Sequence, residues 1–352
     1  MANKSLFASY AGKLLPRANA KNRAGAPAYA LAPRHQLAQL AMTGTLSPTF
    51  YASGAAQLAD ITELARKVEP EFLAKAAIYA RKKGHMKDMP ALLLAVLSGI
   101  DSQMFARAFP RIADNGKMLR TFVQIMRSGA TGRKSLGSRP KIMVEAWLNA
   151  ASDAEILRAA VGQSPSLADV IKMVHPKPAS AERRALYAYL IGKPYDVALM
   201  PEAVRAFEAF KRDASNPVPD VPFQMLTSLE LTPQHWAEIA KTAGWQMLRM
   251  NLNTFDRQCV FAVPGLAQMI AERLKDEGEI RTARALPYQL MAAHAAASQE
   301  VPFIVREALQ DAMEIAICNV PAIAGRIVIC PDVSGSMASA VTGFRKGATS
   351  AV

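Results

Sequence analysis

Positively charged side chains gather in one stretch of the sequence, residues 115–144, which contains no acidic residue. Apolar residues recur every three or four positions in its first half, which predicts a helix. Three glycines and a proline in residues 128–140 prevent that helix from continuing. The seven basic residues are therefore expected at a helix end, on a flexible glycine-rich loop and at the start of the next helix: Lys117, Arg120, Arg127, Arg133, Lys134, Arg139 and Lys141. Such a patch requires an anionic partner, and a polyanion is the simplest one; a solvated basic face is the alternative.

A second candidate site is formed by oxygen-bearing side chains near the C-terminal end of the sequence. Residues 326–332 are rich in β-branched side chains and predict a buried strand. Asp332, Ser334 and Ser336 follow, so that one carboxylate and two hydroxyls can converge on a hard divalent cation such as Mg2+. Three oxygen ligands are too few for such a cation, and other loops and water would have to complete its coordination shell.

No arrangement typical of an enzyme stands out. Residues 129–135 resemble a phosphate-binding loop only superficially, because Arg133 separates the second glycine from Lys134 and only two residues lie between the glycines. The five histidines lie far apart and lack the spacing of a catalytic zinc site. A nucleophile, a base and a group that orients the base are not recognisable in the sequence. We therefore expect a protein that is not an enzyme.

Composition and charge narrow the class of protein. The 352 residues carry a net charge of +13, which suggests nucleic acid or an anionic membrane surface. Residues 101–150 hold nine basic and three acidic side chains, and residues 1–59 hold six basic and none acidic. No stretch is long and apolar enough to span a membrane, and three widely separated cysteines predict neither disulfides nor a metal site. We expect a cytoplasmic protein without a membrane partner, although the basic N-terminus also overlaps in composition with organellar transit peptides.

Helices dominate the predicted elements. Residues 1–34 lack periodicity and contain three prolines, which predicts an N-terminal extended arm. First-turn prolines and capping Ser or Asp residues mark one helix after another from residue 35 to residue 324. Because strand signals are missing over most of the chain, this pattern favours an all-α array of HEAT-like helix pairs, each about 40 residues long, in a solenoid. A globular all-α domain is the alternative.

Several short segments occur in an order that is specific to one family. They are residues 69–75 (EPEFLAK), 88–94 (DMPALLL), 127–141, 172–178 (KMVHPKP), 247–252 (MLRMNL), 285–288 (ALPY) and 332–337 (DVSGSM). Through them the chain resembles the TROVE-domain proteins, the Ro autoantigen family with its bacterial Ro-like members, from about Ala41 onward. The resemblance implies a ring of HEAT-like α-helical repeats, here residues 35–324, closed by a von Willebrand A domain. Residues 325–352 supply only the first strand and the first metal motif of that domain, which is expected to be truncated here, either because the chain is a fragment of a longer protein or because it is a truncated homologue.

The resemblance also implies a function. Members of the family bind the single-stranded ends of misfolded RNAs in the hole of the ring, and small Y RNAs on the outer basic surface. It implies RNA contacts by residues of two matched segments: Arg127, Arg133, Lys134, Arg139, Lys141, Lys172, His175 and Lys177. A ribonucleoprotein role in noncoding-RNA quality control or repair, a Y-like RNA ligand and an exoribonuclease partner follow by resemblance. The alternative, from another class, is a helical-repeat scaffold that docks an acidic protein partner.

Overall fold

The computed structural model describes residues 18–22, 25–48, 52–178, 180–322 and 324–338. Within these residues the chain forms nineteen α-helices, a few short 3-10 turns and one two-stranded antiparallel sheet. The predicted all-α class is therefore confirmed. None of the helices in the described part combines the length and the apolar character that crossing a membrane requires.

The chain divides into two compact units, residues 1–202 (unit 1) and residues 203–352 (unit 2). Within the described residues of unit 1 the helices are α1 (Pro33–Thr43), α2 (Gly54–Arg66), α3 (Pro70–Lys82), α4 (Asp88–Ile100), α5 (Ser102–Ile112), α6 (Gly116–Ser128), α7 (Ser138–Ala150), α8 (Asp153–Ala160), α9 (Leu167–Val174) and α10 (Ala181–Leu190). Those described in unit 2 are α11 (Glu202–Arg212), α12 (Phe223–Leu226), α13 (Pro233–Thr242), α14 (Trp245–Met250), α15 (Leu252–Arg257), α16 (Leu266–Leu274), α17 (Glu277–Ala283), α18 (Pro287–Ala296) and α19 (Phe303–Ala316). The predicted bounds of the arm, the repeat domain and the C-terminal segment stay predictions.

In unit 1 the helices pack in two alternating rows. Helix α4 packs between α2 and α6, and α5 packs between α3 and α7. Helices that follow each other in the chain, such as α3, α4 and α5, also pack against one another. Stacked helix pairs of this kind bury a continuous core between neighbouring repeats, as predicted for a HEAT-like array. Residues 89–98 of α4 are all buried, so this helix is the centre of the core.

Two close approaches fix α6 within this core. The rings of Phe105 and Phe109 on α5 and Phe122 on α6 pack with centroids 5.4–5.7 Å apart, two pairs edge-to-face and one stacked. Such pairs add about 0.5–1.5 kcal/mol beyond the burial of their area. At its other end α6 meets α8 through Gly116, where any β-carbon would collide with Cβ of Ala159. Helix α6, which carries part of the basic stretch, is thus held from both sides.

The helix starts follow local capping rules. Asp101 caps α5 by accepting hydrogen bonds from the backbone N–H groups of Gln103 and Met104, as predicted. The N-terminal cap of α8 lies one residue before Asp153. Ser152 is the cap, because it forms a capping box in which Glu155 accepts from the Ser152 N–H and Ser152 accepts from the Glu155 N–H.

Unit 2 is organised around α19, which packs against α16, α17 and α18. Its core includes Trp236, Trp245 and Phe255. Residues 245–257 form two helices, since Asn251 leaves the helical conformation (φ −118°, ψ 16°) between α14 and α15. Helix α17 was not predicted from the sequence.

Two predictions about extended segments need correction. The N-terminal arm is not merely extended, because Ala20–Lys21 (β1) pairs antiparallel with Pro27–Ala28 (β2). Residues 326–332, predicted as a buried strand, are irregular, and Val328 and Ile329 are 83% and 82% exposed. A strand requires a neighbour for its N–H and C=O groups, and among the described residues this segment has none. Residues 1–17 and 339–352 of the predicted arm and C-terminal segment lie outside the described residues.

Candidate nucleic-acid interface

The basic loop between α6 and α7, residues 129–137, is an anchored structure and not the flexible loop predicted from its glycines. Gly129, Gly132 and Gly137 adopt φ values of 84°, 87° and 77°, a region in which other L-residues are strained. Nη2 of Arg66, at the end of α2, donates to the Thr131 carbonyl at 3.2 Å. At the other end of the loop, Leu136 is buried, with 7% of its surface exposed. The glycines therefore give the loop its shape, while contacts from outside hold it.

Arg133 contributes to this anchoring. Its Nη2 donates to Oγ of the buried Ser98 on α4 at 2.6 Å, and the side chain is half-buried. Ser98 Oγ in turn donates to the Ala95 carbonyl at 2.7 Å. The guanidinium is therefore held at one end, while the rest of this planar cation is available to an anion at the surface.

The other cations of this segment differ in exposure. Arg127, Lys134 and Arg139 are exposed and form no ion pair with any residue that the structure describes, and Lys134 lies along Gly129. Lys117 is exposed in the first turn of α6, and Lys141 is half-buried in the first turns of α7. Arg127, Lys134 and Arg139, together with the exposed Lys117, are the ones best placed to neutralise an anionic ligand without first losing an ion-pair partner among the described residues.

Arg120, one of the cations of the predicted basic patch, is hydrogen-bonded within the protein. Its Nη2 donates to the Val161 carbonyl at 2.6 Å and its Nη1 to the Pro165 carbonyl at 3.3 Å. Nε is buried without a partner, and burial lowers the pKa of this guanidinium. Gly162, with φ of 103°, lies directly beside the guanidinium, where a β-carbon would collide with it. The geometry thus assigns Arg120 to holding the loop between α8 and α9, so a structural role is favoured over RNA contact.

The second predicted segment, residues 172–178, is docked on α7. The N–H of Lys177 donates to Oε1 of Glu145 at 2.8 Å, and the Lys177 carbonyl accepts from Nδ2 of Asn149 at 2.9 Å. His175 ends α9 in the left-handed conformation (φ 50°), with its N–H bonded to the Ile171 carbonyl, so it forms the C-terminal cap of this helix. The side chains of Lys172, His175 and Lys177 are all exposed.

Helix α7 therefore joins the two basic segments. Arg139 and Lys141 begin it, and Glu145, one turn beyond Lys141, receives the backbone of Lys177. At a rise of about 1.5 Å per residue, Arg139 and Glu145 are separated by about 9 Å along the helix axis. The structure thus attaches both segments to one helix, although they are more than 30 positions apart in the sequence.

Net charge is divided very unequally between the units. Unit 1 contains 28 basic and 14 acidic residues, whereas unit 2 contains 14 basic and 15 acidic residues. Several acidic side chains of unit 1 are already paired, as Asp114 is with Arg81 at 2.7 Å and with Lys82 at 2.8 Å. All of the excess positive charge that could attract a polyanion therefore belongs to unit 1.

Sequence reasoning missed four cations that lie beside the predicted ones. Arg66 and Lys67, at the end of α2, border a cleft together with the glycines of the 129–132 segment. Arg184 and Lys193 border another cleft with Lys172 and His175. A local signal was present for Arg66, Lys67 and Arg184, which stand in the basic pairs Arg66-Lys67 and Arg183-Arg184. Their place beside the predicted cations, like that of Lys193, follows from the packing of helices distant in sequence.

The predicted cation site receives little support from its described part. Oδ1 of Asp332 accepts the Ser334 N–H at 2.9 Å, and this bond lowers the pKa of the carboxyl. Both residues are exposed, and the side chain of Ser336 lies outside what the structure describes. No group of three His, Cys, Asp or Glu residues suited to a metal occurs in the described ranges. One carboxylate and one hydroxyl do not fit a cation that takes at least six oxygen ligands.

Comparison with known proteins supports the resemblance. No family model matches the chain. The chain is 25% identical over 358 aligned positions to the RNA-binding protein RO60 of Deinococcus radiodurans, covering 90% of this chain and 66% of that protein. Its fold matches the crystal structure of the RO (RSR) protein of Deinococcus radiodurans with a TM-score of 0.61 and 21% identity, over 82% of this chain and 65% of the other. The chain thus spans about two thirds of the length of these Ro proteins, and the predicted resemblance to Ro proteins is confirmed.

Proposed function

We propose that this chain is an RNA-binding protein of the Ro type and that unit 1 carries the RNA-binding surface. The observation that carries the proposal is the convergence on α7 of two segments of exposed cations, the 127–141 segment and the 172–178 segment. Two further facts support it: the excess positive charge lies in unit 1, and the similar Deinococcus protein is named an RNA-binding protein.

The mechanism follows from electrostatics. Lysine and arginine side chains neutralise phosphates and release condensed counterions, which supplies affinity without reading sequence. Selection by RNA shape would come from the arrangement of repeats that the resemblance implies. We propose single-stranded ends of misfolded noncoding RNAs and small Y-like RNAs as ligands, with RNA quality control or repair in the cytoplasm as the setting. An exoribonuclease partner belongs to the same proposal and rests on the resemblance alone.

In this proposal the protein binds RNA and does not transform it. Turnover of RNA by the purified chain would contradict that part. Mg2+ or another divalent cation at Asp332, Ser334 and Ser336 is proposed only together with oxygen ligands from other residues, because the described part of the motif supplies too few.

The test compares a hairpin RNA that has a single-stranded 3′ tail with the same hairpin blunt, each over a salt series. The triple variant Arg127→Ala/Lys134→Ala/Arg139→Ala removes three exposed, unpaired cations of unit 1. The matched control Arg205→Ala/Arg212→Ala/Arg257→Ala removes three exposed arginines of unit 2. We expect the unit 1 variant to weaken binding of the tailed RNA and to reduce the slope of log K against log salt by about 2, since each phosphate contact on a single strand contributes about 0.7.

The control variant is expected to keep the salt slope of the wild-type chain. Equal and weak binding of the two RNAs, unchanged in the unit 1 variant, would contradict the proposal and would favour the scaffold for an acidic protein partner. That alternative has its own signature, which is salt-sensitive binding of an acidic peptide with no preference for a single-stranded tail.

A further inference from the structure

A cleft of about 340 Å³ lies between the 172–178 segment and α10. Helix α9 and the turn after it form one wall, and α10 with the residues that follow it forms the other. Its lining residues are Ile171, Lys172, His175, Pro176, Pro178, Arg184, Tyr187, Ala188, Ile191 and Lys193. This volume is at the lower end of the range for ligand pockets, about 300–1,000 Å³, and therefore suits one small ligand group.

The floor of the cleft is apolar and fixed. Ile171 and Tyr187 are each 4% exposed, and Pro176 and Pro178 add rigid apolar surface. The Tyr187 hydroxyl donates to the Leu148 carbonyl on α7 at 2.8 Å, so the ring is held in place from outside the cleft. The floor is therefore a fixed apolar surface at the base of the cleft.

The rim of the cleft is cationic. Its cations are Lys172, Arg184 and Lys193, which are exposed, as is the neighbouring His175, and no acidic residue lines the cleft. None of the four forms an ion pair with a residue in the described part of the chain. The neighbouring Arg183 differs, because it donates to the Ala151 carbonyl at 2.5 Å and lies 3.3 Å from Asp153. Arg183 is thus used internally, whereas the rim cations are available to a ligand.

We infer that this cleft receives one unpaired nucleotide of a bound RNA, with the base against the apolar floor and its phosphate among Arg184, Lys193 and Lys172. The inference rests on the proposed function and specifies it. A bare phosphate would leave the apolar floor without a contact, and an uncharged apolar ligand would leave the cationic rim without an anionic partner. A nucleotide combines a planar base with a phosphate, and single-stranded RNA presents unstacked bases that can leave the strand. A free nucleoside monophosphate shares this chemistry, so the experiment must separate the two sources.

The first arm of the experiment fills the cleft. Ala188→Leu places a larger side chain on the floor and removes no charge, while Ala181→Leu makes the same change at an exposed position of α10 that does not line the cleft. The second arm removes rim charge with Arg184→Ala/Lys193→Ala and uses Arg205→Ala/Arg212→Ala in unit 2 as its control. Circular dichroism of each variant checks that it is folded, and the second arm affects only exposed side chains.

Binding is measured by calorimetry for adenosine monophosphate, adenosine and inorganic phosphate, and by fluorescence anisotropy for the tailed hairpin RNA. We expect adenosine monophosphate to bind more tightly than adenosine or phosphate. We expect Ala188→Leu to weaken both the nucleotide and the tailed RNA by about tenfold, as the loss of one stacked base would. Arg184→Ala/Lys193→Ala should weaken both as well, and neither control should change them.

The outcomes separate this inference from the proposed function. If the tailed RNA binds equally to the wild-type, Ala188→Leu and Arg184→Ala/Lys193→Ala proteins, the cleft inference is overturned while the RNA-binding function stands. If adenosine monophosphate binds and Ala188→Leu abolishes it, yet no RNA binds, the cleft is a free-nucleotide site, and both the RNA-linked inference and the proposed function fail.

Discussion

Replacement of Arg120 tests whether the stability of unit 1 depends on the hydrogen bonds of this side chain and not only on its charge. The two donors of its guanidinium connect α6 to the carbonyls of Val161 and Pro165. Arg120→Lys keeps the positive charge, but a single ammonium on a shorter stem cannot reproduce the fork of two bonds. Arg120→Ala removes both the charge and the bonds. If Arg120 is a structural residue, both substitutions should destabilise unit 1.

The magnitude follows from the two bonds. A hydrogen bond from a charged donor contributes about 1.5–3 kcal/mol. The bond to Val161 is short, at 2.6 Å, whereas the bond to Pro165 is long, at 3.3 Å, and contributes less. Burial that lowers the pKa of Arg120 offsets part of the gain. We therefore expect about 2–3 kcal/mol of destabilisation for Arg120→Ala and a slightly smaller value for Arg120→Lys.

Urea unfolding followed by circular dichroism gives the change in stability, and hydrogen exchange followed by mass spectrometry locates it. The loss of protection should concentrate in α6 and residues 161–165. Affinity for the tailed RNA is measured at low urea concentration, where the Arg120 variants are folded. It should change less in these variants than in Lys134→Ala. Wild-type stability of Arg120→Lys, together with an RNA defect in Arg120→Ala as large as that of Lys134→Ala, would refute the structural role.

Three more predictions concern the same unit. Lys134→Ala should leave stability unchanged and reduce the slope of log K against log salt for the tailed RNA by about 0.7, and an unchanged slope would contradict a phosphate contact there. Burial raises the pKa of Tyr187 to about 12, so the stability that depends on its neutral hydroxyl is complete below pH 10 and is lost as the pH rises towards 12. The difference in unfolding free energy between the wild-type and Tyr187→Phe proteins should therefore shrink over that interval from about 1 kcal/mol at pH 8, and a constant difference would count against it. Gly116→Ala should destabilise unit 1 by about 1–3 kcal/mol, measured by urea unfolding, because the added methyl overlaps Ala159 and must separate α6 from α8. The control is Gly99→Ala, because a β-carbon at Gly99 meets no atom within 4 Å. It should not destabilise the unit.

Local features of the fold were predictable because the signals lie within a few residues of the structure they specify. Asp101 precedes the helix that it caps, and Pro233 and Pro287 stand in the first turns of α13 and α18 as predicted. His175 ends α9 just before a proline. The apolar spacing of residues 115–128 predicted α6 almost to its last residue, Ser128.

Features that depend on distant parts of the chain were not predictable in the same way. The bonds of Arg66 to Thr131 and of Arg133 to Ser98 span 65 and 35 positions, and no local pattern links their partners. The glycines of the loop therefore indicated flexibility, although external contacts fix it. The strand expected from residues 326–332 failed for a related reason, because β-branched composition cannot supply the neighbouring strand that pairing requires.

The candidate site likewise combines features that the local sequence predicted with features that depend on distant parts of the chain. Exposure of Arg127, Lys134 and Arg139 agrees with the predicted basic patch, whereas the commitment of Arg120 to two carbonyls became visible only in the structure. The rim cations Arg184 and Lys193 were missed because α9, α10 and the residues after α10 must pack together before they form one cleft.

Attachment of both basic segments to α7 has an entropic consequence for ligand binding. The 129–137 loop is tied to α2 and α4, and the backbone of Lys177 is tied to Glu145 and Asn149. The conformational entropy of these backbones is therefore lost when the unit folds, so a ligand need not order them again. Preorganisation of this kind fixes the spacing of charges along the surface. The conformational entropy lost on binding would then come mainly from the RNA and not from these protein segments.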